Sequence, residues 1–312
     1  MPLHPQARAV CDLVNAMPYV PPSNSRLQEI RDSFATLVAI GAGPAQEVFA
    51  IEDAEADGVP VRIYRPAPDP DLPVVVYFHG GGWTIGSVDQ FDLITRQIAN
   101  VTNAIVVSVD YRLAPEHPFP APLDDCWTAL LWAAKNASTF GGDASRLAVM
   151  GDSAGGNLAA VCALLARDAG GPELAMQVLV YPVVDNAITT ASYNENAEGY
   201  LLTREDMMWF LANYIGFNDR EAEIDWRITP LHAPDLHGVA PAVVLTAEFD
   251  PLRDEGRAYA ARLEGAGVPV VRMQYDGLIH GFVGLSAAFE ASLDALQRIS
   301  AELSRAFGTI SH

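Results

Sequence analysis

The chain has 312 residues, half of them hydrophobic and 19% charged, enough for one large domain or two average ones and unlike a disordered chain. Its formal net charge of -20 argues against nucleic acid and anionic membrane surfaces as partners, since both would repel it. Three cysteines (Cys11, Cys126 and Cys162) lie far apart without a C-x-x-C, which argues against a disulfide framework or a zinc site.

Residues 1–45 read as helical pieces around a break at Pro18–Ser25. The first twenty residues contain Pro2, Pro5 and Pro18 and no apolar stretch suited to a signal peptide. No run in the chain approaches the ~18 apolar residues of a membrane span, so a reducing cytoplasm is the expected setting. Strand-like runs follow at Val61–Arg65 and Val74–Phe78, then a helical pattern at Phe91–Val101 and a strand at Ile105–Val109. A helix at Leu123–Asn136, a strand at Leu147–Met150, a helix at Ala154–Arg167 and a strand at Val178–Val184 continue the alternation. Residues 186–235 interrupt it with a polar loop (Ser192–Glu198) and a helix capped by Thr203 with Asp206 three residues on. The alternation resumes with Ala242–Ala247 as strand, Arg253–Gly265 as helix, Val268–Tyr275 as strand and Ser286–Ala306 as helix.

Several of these strands are apolar on both faces, as strands covered by helices must be. The pattern predicts an α/β domain over residues 46–185 and 236–312, with a mostly parallel central sheet flanked by helices. Residues 1–45 and 186–235 lack strand patterning and are expected to form a helical cap over the sheet's carboxyl edge, where such sheets place their sites. Tyr193, Tyr200, Met207, Met208, Phe210 and Leu211 are its candidates for closing over the site. Charged residues among them (Arg204, Glu205, Asp206, Asp219, Arg220, Glu221 and Glu223) and Asn213 do not suit a long apolar lid.

Three features carry chemistry. Gly151-Asp152-Ser153-Ala154-Gly155 matches G-x-S-x-G between a strand and a helix, the context of a nucleophile elbow. By itself the pentapeptide is expected by chance about 0.1 times at this composition. His79-Gly80-Gly81-Gly82 follows a strand and leaves backbone N–H groups unshielded, donors suited to a developing oxyanion. Near the C-terminus Asp250 ends an apolar run and His280 follows the last strand. The order Ser, Asp, His suits a triad, in which Asp250 would orient His280 and His280 would take the proton of Ser153. Glu248, Asp254 and Asp276 stand as rival acids at this point.

With these residues in hand, the chain resembles bacterial carboxylesterases of the hormone-sensitive lipase family, an α/β-hydrolase family. The resemblance spans nearly the whole chain and rests on H-G-G-G-W at His79–Trp83, D-Y-R-L-A-P-E at Asp110–Glu116, G-D-S-A-G-G-N at Gly151–Asn157, D-P-L-R-D-E at Asp250–Glu255 and I-H-G-F at Ile279–Phe282. It implies a triad of Ser153, Asp250 and His280, and an oxyanion hole from the N–H groups of Gly81, Gly82 and Ala154. His79, Gly80 and Asp152 take supporting places, and Asp152 puts the chain in the G-D-S-A-G branch. Arg112 and Glu116 are expected to pair with each other or to bond backbone near the elbow. Trp83 is left between pocket and core. The resemblance further implies short- to medium-chain acyl esters as substrates, no metal or cofactor, and homodimers formed through an edge strand and the C-terminal helix. A lipase or amide hydrolase with the same triad, and a non-catalytic ligand receptor on this fold, are the alternatives.

Overall fold

The structure is a computed structural model that describes residues 2–16, 22–216 and 225–309. The cap residues Asp219, Arg220, Glu221 and Glu223, and residues 18–21 of the expected break, lie outside the described residues.

Eight strands form one sheet: β1 Ala50–Ala56, β2 Val59–Arg65, β3 Leu72–Phe78, β4 Ile105–Val109, β5 Gly142–Asp152, β6 Met176–Val180, β7 Ala242–Phe249 and β8 Val270–Ile279. Their spatial order is β1-β2-β4-β3-β5-β6-β7-β8. β2 runs antiparallel to β1 and β4, and every pairing from β4 to β8 is parallel. The helices are α1 Pro5–Asn15, α2 Leu27–Gly41, α3 Asp92–Thr102, α4 Ala121–Asn136, α5 Ala154–Ala169, α6 Ala191–Glu195, α7 Arg204–Ile215, α8 Arg253–Gly265 and α9 Glu290–Ala306.

Side chains alternate across a strand, so a run apolar at every position feeds two cores. In β3, Val74, Val76 and Phe78 join one core with Leu130 of α4, Leu158 of α5 and Leu263 of α8. Val75 and Tyr77 join the other, with Ile98 of α3 and Leu296 and Ile299 of α9. Burying each such aliphatic side chain contributes roughly 1.5–3 kcal/mol, which drives the three-layer arrangement.

Four sequence expectations need correcting. β1 was not foreseen, because its sequence AIEDAEA is polar and its burial pattern is almost wholly exposed. The signal for it lay in the turn: Asp57 and Gly58 both have positive φ (50° and 96°), the two-residue D-G hairpin that pairs Ala56 with Val59. β6 stops at Val180, so the expected strand to Val184 leaves the sheet early. β8 extends to Ile279, four residues past the expected end, and His280 follows it directly. The last helix starts at Glu290, after a short turn at Phe282–Gly284.

The two stretches outside the alternation meet each other and the sheet's carboxyl end. Trp209 Nε1 of α7 donates to Asn24 Oδ1 at 2.9 Å, and Asn15 Nδ2 of α1 donates to the Gly199 carbonyl at 3.1 Å. Arg31 of α2 donates to the carbonyls of Thr84 and Ala114 and pairs with Glu116 at 2.8 Å. Thr203 and Asp206 form the expected reciprocal capping box at the start of α7. Met207 and Leu211 of α7 and Tyr193 of α6 are buried in the core, while Met208 is exposed, so only part of the expected cap set is placed to reach a substrate.

Candidate active site

β3 and β5 are neighbours, with Phe78 opposite Gly151. The glycine loop after β3 and the elbow after β5 therefore leave the sheet side by side, where strand order reverses direction. Ser153 sits on the elbow at φ 56°, ψ -119°, a positive-φ conformation rarely adopted by a residue with a Cβ. The strain is held by neighbours. Ser153 N–H donates to the Val180 carbonyl at 2.9 Å, and its carbonyl accepts from Asn157 and Val183. A Cβ on Gly151 would lie 2.1 Å from the Gly155 carbonyl oxygen, and one on Gly155 would lie 1.9 Å from that of Phe78. These two glycines let the strand, the turn and α5 pass in contact.

At the other side of the sheet's carboxyl edge, Phe249 pairs with Ile279 across a register shift. That pairing puts the next residues of both strands, Asp250 and His280, beside each other although thirty positions separate them. His280 Nδ1 lies 2.8 Å from Asp250 Oδ2, and His280 Nε2 lies 3.0 Å from Ser153 Oγ. Asp250 is fully buried, and its other oxygen accepts the Leu252 N–H at 2.8 Å. Ser153 and His280 are each 8% exposed, so the reacting end of this relay is the end open to a substrate. The rival acids point elsewhere: Glu248 accepts the Gly277 N–H at 2.6 Å, Asp254 is held by Arg253 and Ser192, and Asp276 is exposed on β8.

Gly81 and Gly82 have φ of 109° and 56°. The Gly81 carbonyl accepts from Thr84 and Ile85, which closes the loop on itself. The N–H groups of Gly81 and Gly82 have no acceptor among the described residues. The ring of Phe210 from α7 covers Gly82 so closely that a Cβ there would lie 2.2 Å from it. Asp152 ties loop to elbow: one carboxylate oxygen accepts both the Tyr77 hydroxyl at 2.6 Å and the Gly80 N–H at 2.9 Å. Burial pushes its pKa up, and the Tyr77 bond opposes that shift.

His79 is fully buried beneath the loop, stacked between Phe91 and Tyr111 with ring centroids 5.0 and 4.3 Å away. Its Nδ1 lies 2.7 Å from the Gly80 carbonyl, so that nitrogen carries the proton. Burial pushes its pKa down to about 4 against this bond. The unfolded chain binds a proton at an ordinary histidine near pH 6.5, and the folded one only near 4. Stability therefore falls as pH drops through that interval, by roughly 3 kcal/mol near its lower end. The raised carboxyls of Asp152 and Glu255 act with the opposite sign, so the comparison to make is with His79→Gln. Urea unfolding at pH 7 and 4.5 should show a steeper acid loss in the natural chain; equal losses would contradict this assignment.

One further expectation is corrected here, and one left open is decided. Arg112 and Glu116 do not pair with each other: Arg112 pairs with Asp125 at 2.7 Å and Glu116 with Arg31. Trp83 is wholly buried and stacks on Tyr214 at 4.1 Å, so it belongs to the core.

The sheet, the elbow and the relay define a serine hydrolase of the α/β-hydrolase fold. A family model described as alpha/beta hydrolase fold matches residues 75–284. The chain belongs to this family, in its hormone-sensitive-lipase-like group of bacterial carboxylesterases. It is 48% identical over 251 residues to carboxylesterase NlhH of Mycobacterium tuberculosis, covering 80% of this chain and 78% of that one. It is 37% identical over 312 residues to an ethyl acetate hydrolase of Pseudomonas putida, covering 95% and 96%. A hyperthermophilic esterase from the archaeon Pyrobaculum calidifontis superposes with a TM-score of 0.91 at 39% identity, over 98% of this chain and all of that one.

Proposed function

We propose that this chain hydrolyses short- to medium-chain acyl esters with Ser153 as nucleophile, His280 as general base and acid, and Asp250 as the carboxylate that orients it. The observation that carries the reading is the continuous relay from buried Asp250 through His280 to the strained Ser153. Ser153 Oγ attacks the acyl carbon while His280 Nε2 takes its proton, and the imidazolium is stabilised by Asp250. The negative charge on the former carbonyl oxygen falls to the N–H groups of Gly81, Gly82 and Ala154, the last at the positive end of α5. His280 then protonates the departing alkoxide. In the second half, water gives a proton to His280 as it attacks the acyl-enzyme, and His280 hands that proton to Ser153 Oγ as the acid leaves.

Substrate size is set by what lies above Ser153, where Phe210 closes down on the glycine loop. The Pseudomonas relative named for ethyl acetate, a two-carbon acyl ester, supports a short acyl pocket. A p-nitrophenyl ester series from acetate to palmitate should peak at or below the medium chains in solution. A maximum at palmitate with activation at an oil interface would replace this reading by a lipase.

The same reading takes residues 1–45 and 186–235 as the cap and the rest as the catalytic domain, supported by the contacts of Trp209 with Asn24 and of Asn15 with Gly199. It places the enzyme in the cytoplasm, which three free cysteines suit. No described helix is long and apolar enough to cross a membrane. Dimerisation would use β8 at the sheet edge and α9, whose Leu293 is exposed.

A further inference from the structure

The cap stretch holds a set of buried polar side chains that the chemistry above does not use. Ser192 of α6 is fully buried, and Asn196, just past its end, is 3% exposed. Both reach the turn that carries Asp250. Ser192 Oγ donates to the Pro251 carbonyl at 2.6 Å and accepts the Asp254 N–H at 3.2 Å. Ser192 N–H donates to Asp254 Oδ2 at 2.8 Å. Asn196 Nδ2 donates to the carbonyl of Asp250 itself at 3.2 Å. Around them, Arg253 pairs with Glu195 at 2.8 Å, and Glu255 accepts the Val184 N–H at 2.8 Å, where the chain leaves the sheet for the cap.

We infer that Ser192 and Asn196 are positioning residues of the catalytic acid: this short cap segment is a fixed brace that aims the Asp250 carboxylate at His280. The inference rests on the hydrolase reading of Ser153. Its physical basis is the turn itself. The Asp250 carboxylate has only the Leu252 N–H and His280 as partners among the described residues, so its direction is set by the backbone of residues 250–254. Two successive carbonyls of that backbone, those of Asp250 and Pro251, are tied to α6 and its end. Unmade, these buried bonds would let the turn rotate, and a displacement near 1 Å is enough to misalign a relay whose links are 2.8 and 3.0 Å long.

The test compares Ser192→Ala and Asn196→Ala with Asn194→Ala, whose exposed side chain bonds only within the cap. Turnover of p-nitrophenyl acetate, butyrate and octanoate is measured together with the far-downfield NMR proton of the His280–Asp250 hydrogen bond. The brace predicts that Ser192→Ala and Asn196→Ala each lower kcat between about ten- and a hundred-fold on every ester, with KM unchanged. The downfield proton should broaden or move in both and stay in Asn194→Ala. Asn196→Ala leaves every Ser192 bond in place and decides the matter if the Ser192 variant folds poorly. Full kcat with an unmoved proton signal would overturn the inference. So would a loss confined to KM or to one acyl length, because α6 would then act on the substrate. If the natural chain hydrolyses none of these esters, the hydrolase reading fails instead, while the proton signal still tests the brace.

Discussion

Asp250→Asn should lower kcat by about four orders of magnitude, some 5 kcal/mol of transition-state stabilisation, while the protein stays folded. The hydrogen bonds dictate the direction. One oxygen of Asp250 accepts the Leu252 N–H and the other faces His280 Nδ1. An asparagine will keep its oxygen on Leu252 and turn its amide N–H₂ toward His280. That donor demands an unprotonated Nδ1, so the ring proton moves to Nε2, the nitrogen facing Ser153 Oγ. A protonated Nε2 cannot accept the serine proton. The variant should keep the natural chain's circular dichroism and its KM for p-nitrophenyl butyrate. Retention of more than about a tenth of kcat would mean that Asp250 is not the orienting acid.

The second large effect is expected at Gly81. Its φ of 109° is a conformation that an alanine adopts only under strain, and a Cβ would lie 2.2 Å from the Ile85 carbonyl oxygen. That carbonyl is backbone, so the loop rather than a side chain has to move. The N–H groups of Gly81 and Gly82 would then leave the position of the oxyanion. Gly81→Ala should reduce kcat about 10²- to 10³-fold, the loss associated with one oxyanion donor. Affinity for a trifluoromethyl ketone, which mimics the tetrahedral oxyanion, should fall in parallel, while KM for the ester changes little. Unaltered trifluoromethyl ketone binding would show that this loop does not hold the oxyanion.

Much of the site was legible in the sequence because its parts sit at chain positions that motifs mark. The elbow announces itself by glycines on both sides of Ser153, and the structure shows why: Gly151 and Gly155 stand where backbone meets backbone. Asp250 and His280 stand at the ends of two apolar runs, and their contact is the consequence of Phe249 pairing with Ile279. What the sequence did not disclose are partners set by tertiary packing. Nothing local says that Glu116 meets Arg31, or that Arg112 turns to Asp125. Nor does periodicity separate cap side chains that turn outward from those that face the core, as Met207 and Met208 show by their opposite burial. β1 escaped because an edge strand exposed on both sides has no apolar pattern to read.

The relay from sealed Asp250 through His280 to Ser153 is the feature on which the assignment rests. The most direct measurement is intact-protein and peptide mass spectrometry after treatment with a fluorophosphonate, alongside p-nitrophenyl butyrate hydrolysis. One covalent adduct is expected, located on Ser153, with activity lost in proportion to labelling. Ser153→Ala should take no label and lose about six orders of magnitude in kcat. Labelling at another residue, or near-normal turnover by Ser153→Ala, would contradict it.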